Sequence, residues 1–157
     1  MPTFETKRTV PFTAQQMYAV VSDIERYPEF LPMCTALRVT SRQATADGTL
    51  LVATMSVGYK AIRESFTTRV TLTPSVPRVD VSYLNGPFSH LTNRWLFVDA
   101  GPGQSEIDFY ITYQFRSAML GALVGAVFDQ AFRRFTEAFE SRARLVYGTA
   151  PAPDVRS

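Results

Sequence analysis

The ten residues Glu106-Ile107-Asp108-Phe109-Tyr110-Ile111-Thr112-Tyr113-Gln114-Phe115 carry the most regular pattern in the chain. Ile107, Phe109, Ile111, Tyr113 and Phe115 fall on one side of an extended strand. Glu106, Asp108, Tyr110, Thr112 and Gln114 fall on the other. Strict alternation of this kind is expected of an antiparallel strand with one face covered and one face wet. Directly afterwards the period changes. Between Ala118 and Tyr147 there is no proline, and Leu120, Val124, Phe128, Phe132, Phe135 and Phe139 recur at helical spacing. Ser117 is placed to cap the start and Gly148 to end it. The expectation is one long helix, about 45 Å from end to end, lying across the sheet that this strand belongs to.

Upstream, the chain reads as more of the same sheet. Phe4 to Val10 alternates as an edge strand and Pro11 breaks it. Thr13 predicts a helix N-cap before Ala14 to Val21, and Ile24 to Phe30 predicts a second short helix stopped at Leu31-Pro32. Strand-like segments follow at Ala36 to Arg42, Thr49 to Val57, Ile62 to Thr73, Val79 to Tyr83 and Leu91 to Asp99. Their turns are marked by Ala46-Asp47-Gly48, Gly58, Pro74 to Pro77, Asn85-Gly86-Pro87 and Ala100-Gly101-Pro102-Gly103. In the strand Ile62 to Thr73, Ile62, Phe66, Val70 and Leu72 share one face, with Arg63, Ser65, Thr67 and Arg69 on the other. The order is strand, two short helices, six strands and a long helix. This predicts an α+β domain with a seven-stranded antiparallel sheet and its helices on one face, over residues 1–148, with 149–157 a disordered tail. Pattern alone leaves open whether the space under the helix is solid core or a cavity.

Composition narrows the function classes. Apolar residues make up 46% of the 157 and charged ones 19%, which is incompatible with disorder. The net charge of +2 comes from 16 scattered basic and 14 acidic residues, with no basic stripe of the kind DNA binding uses. One histidine and one cysteine cannot assemble a zinc site, and the lone Cys34 excludes an intramolecular disulfide. The residues Met1 to Val10 hold no apolar signal core, and Ala118 to Phe128 is too short to span a bilayer. The chain is therefore expected to be cytoplasmic, at most peripheral to an inner membrane.

Catalytic constellations are sparse. Ser89 and His90 are neighbours whose side chains diverge on a strand, and no Gly-x-Ser-x-Gly element is present. Glu106, Asp108, Asp23, Glu25 and Glu29 read as surface charge and capping. His90 remains as a lone candidate base, which a cyclase or hydrolase acting on a hydrophobic substrate would need. Two stretches are more apolar than their expected positions require: Phe30-Leu31-Pro32, in a connection, and Ala118 to Phe128. Both suit the entrance to an apolar pocket. Its walls are predicted to be Trp95, Phe109, Ile111 and Tyr113 on the sheet, and Leu123, Val127, Phe128, Phe132 and Phe135 on the helix. His90, Asn93 and Tyr113 are the polar candidates for contacting a ligand head group.

Three segments carry a family resemblance. They are Val21-Ser22-Asp23-Ile24-Glu25-Arg26-Tyr27-Pro28-Glu29-Phe30-Leu31-Pro32-Met33-Cys34, then Gly86-Pro87-Phe88-Ser89-His90-Leu91-Thr92-Asn93-Arg94-Trp95, and Arg142-Ala143-Arg144-Leu145-Val146-Tyr147-Gly148. Together they resemble the coenzyme Q-binding subfamily of START and polyketide cyclase-like domains, from Thr3 to about Gly148. Met33 departs from the aromatic residue expected there. The resemblance implies a helix-grip fold, with the curved sheet wrapped round the long helix. It also implies a non-enzymatic protein that binds ubiquinone or a related isoprenoid quinone, with no covalent cofactor, and supports respiratory electron transfer. The same subfamily is similar to bacterial toxins that block association of ribosomal subunits, which makes the ribosome the alternative partner.

Overall fold

The computed structural model describes residues 3–148; the expected tail at 149–157 lies outside the described residues. Seven strands form one antiparallel sheet in the order β1-β7-β6-β5-β4-β3-β2. They are β1 (Thr3–Val10), β2 (Cys34–Ala44), β3 (Thr49–Tyr59), β4 (Ile62–Thr73), β5 (Arg78–Asn85), β6 (Phe88–Asp99) and β7 (Ser105–Phe115). Every connection from β2 to β7 is a hairpin, and β1 closes the order by pairing with β7 from Thr3↔Thr112 to Val10↔Ser105. The predicted α+β class and antiparallel sheet are what the chain adopts.

The entry into helix α1 (Ala14–Ser22) follows from its first residues. The Thr13 hydroxyl accepts from the Gln16 amide at 3.1 Å, and the Gln16 side chain accepts from the Thr13 amide at 2.8 Å. This reciprocal pair satisfies two amides that a helix start leaves without partners. The second short helix is a tight 3₁₀ segment, Ile24–Glu29, which the interior Pro28 favours over a continued α-helix. It packs beside β2, whose register shifts at Cys34/Ala36 and Val39/Ser41 bend that edge of the sheet.

The single long C-terminal helix is a correction. Two helices stand there, α2 (Ala118–Arg133) and α3 (Phe135–Tyr147), broken at Arg134. Arg134 has ψ of −4°, and its amide bonds to both the Ala131 and Phe132 carbonyls, so the last turn of α2 tightens. The break lets one aromatic run follow the sheet. Phe132 packs on Tyr113 at 5.1 Å, Phe135 on Phe109 at 6.1 Å and Phe139 on Trp95 at 5.0 Å.

The core lies between the inner sheet face and the helices. Phe88, Phe97, Phe109, Phe139 and Met17 are its largest fully buried side chains. Edge-to-face pairs dominate, such as Phe66–Phe88 at 5.4 Å and Tyr27–Phe139 at 5.1 Å, each contributing about 0.5–1.5 kcal/mol beyond area burial. Helix α3 is also tied electrostatically. Glu140, buried, accepts from Arg8 of β1 at 2.6 Å and from Arg144 one turn on, while Arg142 reaches Glu29 at 2.7 Å.

Candidate functional site

A cavity lies between the inner faces of β2 to β7 and the aromatic side chains of α2 and α3. Strand parity builds its floor. On β4, Phe66, Thr68 and Val70 point inward; they pair with Met55, Ala53 and Leu51 of β3, of which Met55 and Ala53 also line the space. On β6, Leu91, Asn93 and Trp95 point inward beside Ile111 of β7. Phe132, Phe135 and Phe139 form the roof, and Ile24 and Tyr27 close one side. About 70 Å³ is open to the centre of a water-sized sphere. An engineered apolar cavity of about 150 Å³ stays dry and holds benzene, so a ring-sized ligand has to push these side chains apart.

A second, smaller cavity of about 20 Å³ shares Met55, Phe66, Phe132 and Phe135 with the first. Its outer rim is Pro32 and Met33, the β3–β4 hairpin tip at Val57 to Ile62, and Val127, Phe128 and Ala131 of α2. The Gly58 amide bonds to the Met33 carbonyl at 2.9 Å, fastening the tip to the segment before β2. Met33 sits at φ 66°, a left-handed conformation that costs a non-glycine residue about 1–2 kcal/mol. At the neighbouring β5–β6 turn, Gly86 at φ 146° is obligatory, because a Cβ there would lie 2.6 Å from the Phe66 Cβ. The two cavities in series run from the interior to this end of the sheet.

The chamber has few polar groups. Asn93 donates to the Tyr110 carbonyl at 2.9 Å, which leaves one amide hydrogen and its carbonyl oxygen for another partner. Thr68 is buried at 7% exposure. Tyr27 is the one titratable residue of the lining; it donates to the Val21 carbonyl, and burial pushes its hydroxyl far up, so it stays protonated. Cys34, near the rim, is pushed up to about 11 by burial and stays a thiol at neutral pH.

The predicted site residues divide clearly. Trp95, Ile111, Asn93, Phe132 and Phe135 line the main cavity, and Pro32, Val127 and Phe128 line the smaller one. Phe109 is fully buried behind Trp95, 4.4 Å away, and does not reach the space. Tyr113 packs on Phe132 and Phe88 and borders a separate surface groove under α2; burial raises its hydroxyl to about 12. Phe30 and Leu31 are not part of the rim: Leu31 is buried, and Phe30 packs on Tyr27 and Phe139 beneath Arg142. Leu123 is 69% exposed and lines neither cavity, standing one turn before Val127 on the same stripe of α2. His90 is placed outside as well. A bulge between Phe88 and His90 sets His90 opposite the exposed Gln114, while Phe88 and Leu91 on either side of it point inward. Lining residues beyond the predicted ones include Tyr27, Phe139 and, across the floor, Ala53, Met55 and the β4–β5 residues Thr68, Val70, Val79 and Val81. The signal for Thr68 was present, because the face that holds Phe66 and Val70 must also hold residue 68.

The chain matches the family model described as "Polyketide cyclase / dehydrase and lipid transport" over residues 10–140. It belongs to that family. Among curated relatives, it is 34% identical to the ribosome association toxin RatA of Vibrio cholerae over 139 residues, 88% of this chain and 93% of the relative. It is 25% identical over 154 residues to the mitochondrial coenzyme Q-binding protein COQ10 homolog B of Xenopus laevis, covering 96% of this chain and 61% of the relative. Among solved structures, the Zhui aromatase/cyclase of Streptomyces sp. R1128 superposes with a TM-score of 0.77 at 17% identity, covering 92% of this chain and 95% of that one. A START superfamily protein of Mycobacterium smegmatis gives 0.77 at 19% identity, covering 92% and 98%. The helix-grip, START-like fold and the family resemblance are thus those the sequence indicated.

Proposed function

We propose that this chain binds an isoprenoid quinone, or a lipid of the same class, in the cavity between its sheet and its C-terminal helices, and that it does so without catalysis. The observation that carries the reading is the lining: an aromatic and aliphatic chamber whose polar side-chain groups are few, the Thr68 hydroxyl, the Asn93 amide, the Trp95 indole N–H and the Tyr27 hydroxyl. A polyprenyl tail offers no polar handle, and a quinone ring offers only acceptors. Thr68 and Asn93 stand on β4 and β6 with β5 between them and two residues out of register, about 12 Å apart at ordinary strand geometry, and both can donate. General acid–base chemistry would need a second titratable group in the chamber beside Tyr27, and the lining has none among the described residues. The coenzyme Q-binding relative supports the same ligand class.

The test is lipid extraction of the purified protein followed by mass spectrometry, with uptake of added ubiquinone read from quenching of Trp95. An isoprenoid quinone at near-stoichiometric amount is the expected result. An empty protein that also fails to take up ubiquinone overturns the reading. Thr68→Val, nearly isosteric, is expected to weaken uptake about tenfold, the equivalent of one neutral hydrogen bond.

The relatives named as ribosome association toxins, at 32–34% identity over most of both chains, favour a second reading in which the chain engages a ribosomal subunit. Co-sedimentation with a separated subunit at moderate salt checks it; absence from the subunit fraction refutes it.

A further inference from the structure

One end of the sheet gathers features that the ligand cavity alone does not require. The β3–β4 tip, the β5–β6 turn, the start of β2 and the link from β7 into α2 all lie at this end. The smaller cavity opens here, between the tip and α2. From Ala118 to Phe128 helix α2 carries no charged residue, yet much of it is exposed, with Met119 at 73% and Leu123 at 69%. They are four residues apart, so they stand on one face, with Ala118, Ala122 and Ala126 also exposed. Across the opening, Tyr59 on the tip is 40% exposed. Two large, mostly exposed apolar side chains on an uncharged helix face beside a cavity mouth are unusual for a surface facing only water.

The rim of this end is cationic. Lys60 lies over the Tyr59 ring, Arg63 holds the Lys60 and Ile62 carbonyls, and Arg116 reaches the Gly86 carbonyl. Of the carboxylates at this end, Asp129 is engaged by Arg133 and Glu29 by Arg26 and Arg142, while Glu64, next to Arg63 on β4, has no ion-pair partner among the described residues; three cations thus face one unpaired carboxylate. An apolar face ringed by lysine and arginine, on a helix too short to cross a bilayer, matches the interface between acyl chains and anionic head groups. The geometry points to a membrane-docking surface made by the α2 face of Met119 and Leu123 and the β3–β4 tip, which sets the cavity mouth against a bilayer containing anionic lipid. This rests on the proposed lipid cargo, since it gives that cargo a path from membrane to cavity that never crosses water.

Flotation with vesicles tests it, using phosphatidylcholine alone and phosphatidylcholine with about one-third phosphatidylglycerol. The wild-type chain is expected to float with the anionic vesicles, less so at high salt, and about tenfold less with neutral ones. The double variant Met119→Glu/Leu123→Glu is expected to lose at least about tenfold in vesicle binding. Because neither side chain lines a cavity, it should keep its melting temperature and its uptake of ubiquinone from a detergent dispersion. Wild-type protein that stays with the aqueous fraction, or a double variant that floats like wild type, overturns the docking surface. So does a wild-type dimer that the double variant dissociates, since the face would then belong to a second copy. Vesicle binding without any quinone uptake would instead overturn the cavity reading and leave the surface standing.

Discussion

Substituting Ala53 by isoleucine tests whether the cavity is a place for a ligand or a fault in packing. Ala53 is buried on β3, lines the main cavity and pairs with Thr68 across β4. Isoleucine adds three carbons directed into that space and suits a strand backbone. At about 24 cal/mol per Å³, a cavity of about 70 Å³ corresponds to about 1.7 kcal/mol of stability forgone. Three carbons fill part of it and strain takes some back, so about 1 kcal/mol of stabilisation is expected. In a chain of this size that is about 2–4 °C in melting temperature. The same carbons remove ring space, so ubiquinone uptake should fall at least about tenfold. Trp95, the chain's single tryptophan, is buried in the cavity wall, so its fluorescence reports occupancy without a label. A variant that melts several degrees lower and is still quenched like wild type would refute the reasoning on both counts.

Other outcomes follow from single contacts. Glu140→Ala removes the acceptor shared by Arg8 and Arg144, both of them half-exposed, and should cost about 1–2 kcal/mol, read from a urea midpoint at unchanged slope. Phe139→Ala deletes a fully buried ring that touches Tyr27, Phe30 and Trp95, and should cost about 3–5 kcal/mol, visible as the loss of most cooperative unfolding. With its pKa raised to about 11, Cys34 is about 0.1% thiolate at pH 8, so a thiol reagent should react at once with urea-unfolded protein and only slowly with the native chain.

Much of this arrangement is legible in the amino-acid sequence, because the strands report their faces. The alternation Ile107, Phe109, Ile111, Tyr113 fixes which side of β7 is dry, and Thr13 and Ser117 both cap the helices they precede. What escaped was set by contacts distant in sequence. No proline or glycine marks the break at Arg134; the aromatic run has to follow a sheet whose course depends on all seven strands. His90 was grouped with Asn93 by residue type, although Leu91, Asn93 and Trp95 already claim the inner face of β6 and leave His90 outside. Phe30 and Leu31 looked like an exposed entrance because the sequence does not reveal that Phe139 packs over Phe30. The β4–β5 floor was missed for a different reason: short aliphatic residues such as Val79 and Val81 look like ordinary core until the roof above them proves incomplete.

The break at Arg134 divides the C-terminal segment into two parts with unequal anchorage. Helix α3 is held from three directions, by Arg8 on β1, by Glu29 before β2 and by Tyr147 on the Gln16 carbonyl. Among the described residues, α2 has no side-chain hydrogen bond to the sheet; its Asp129–Arg133 pair is internal, and Arg133 rests on the Phe4 ring. Amides of α2 should therefore exchange with solvent through a local opening, orders of magnitude faster than those of α3. Residence time and fold stability then become separable properties. Substitutions near residue 134 can lengthen or shorten the stay of a guest under α2 while the melting temperature, set by α3 and the sheet, stays where it was.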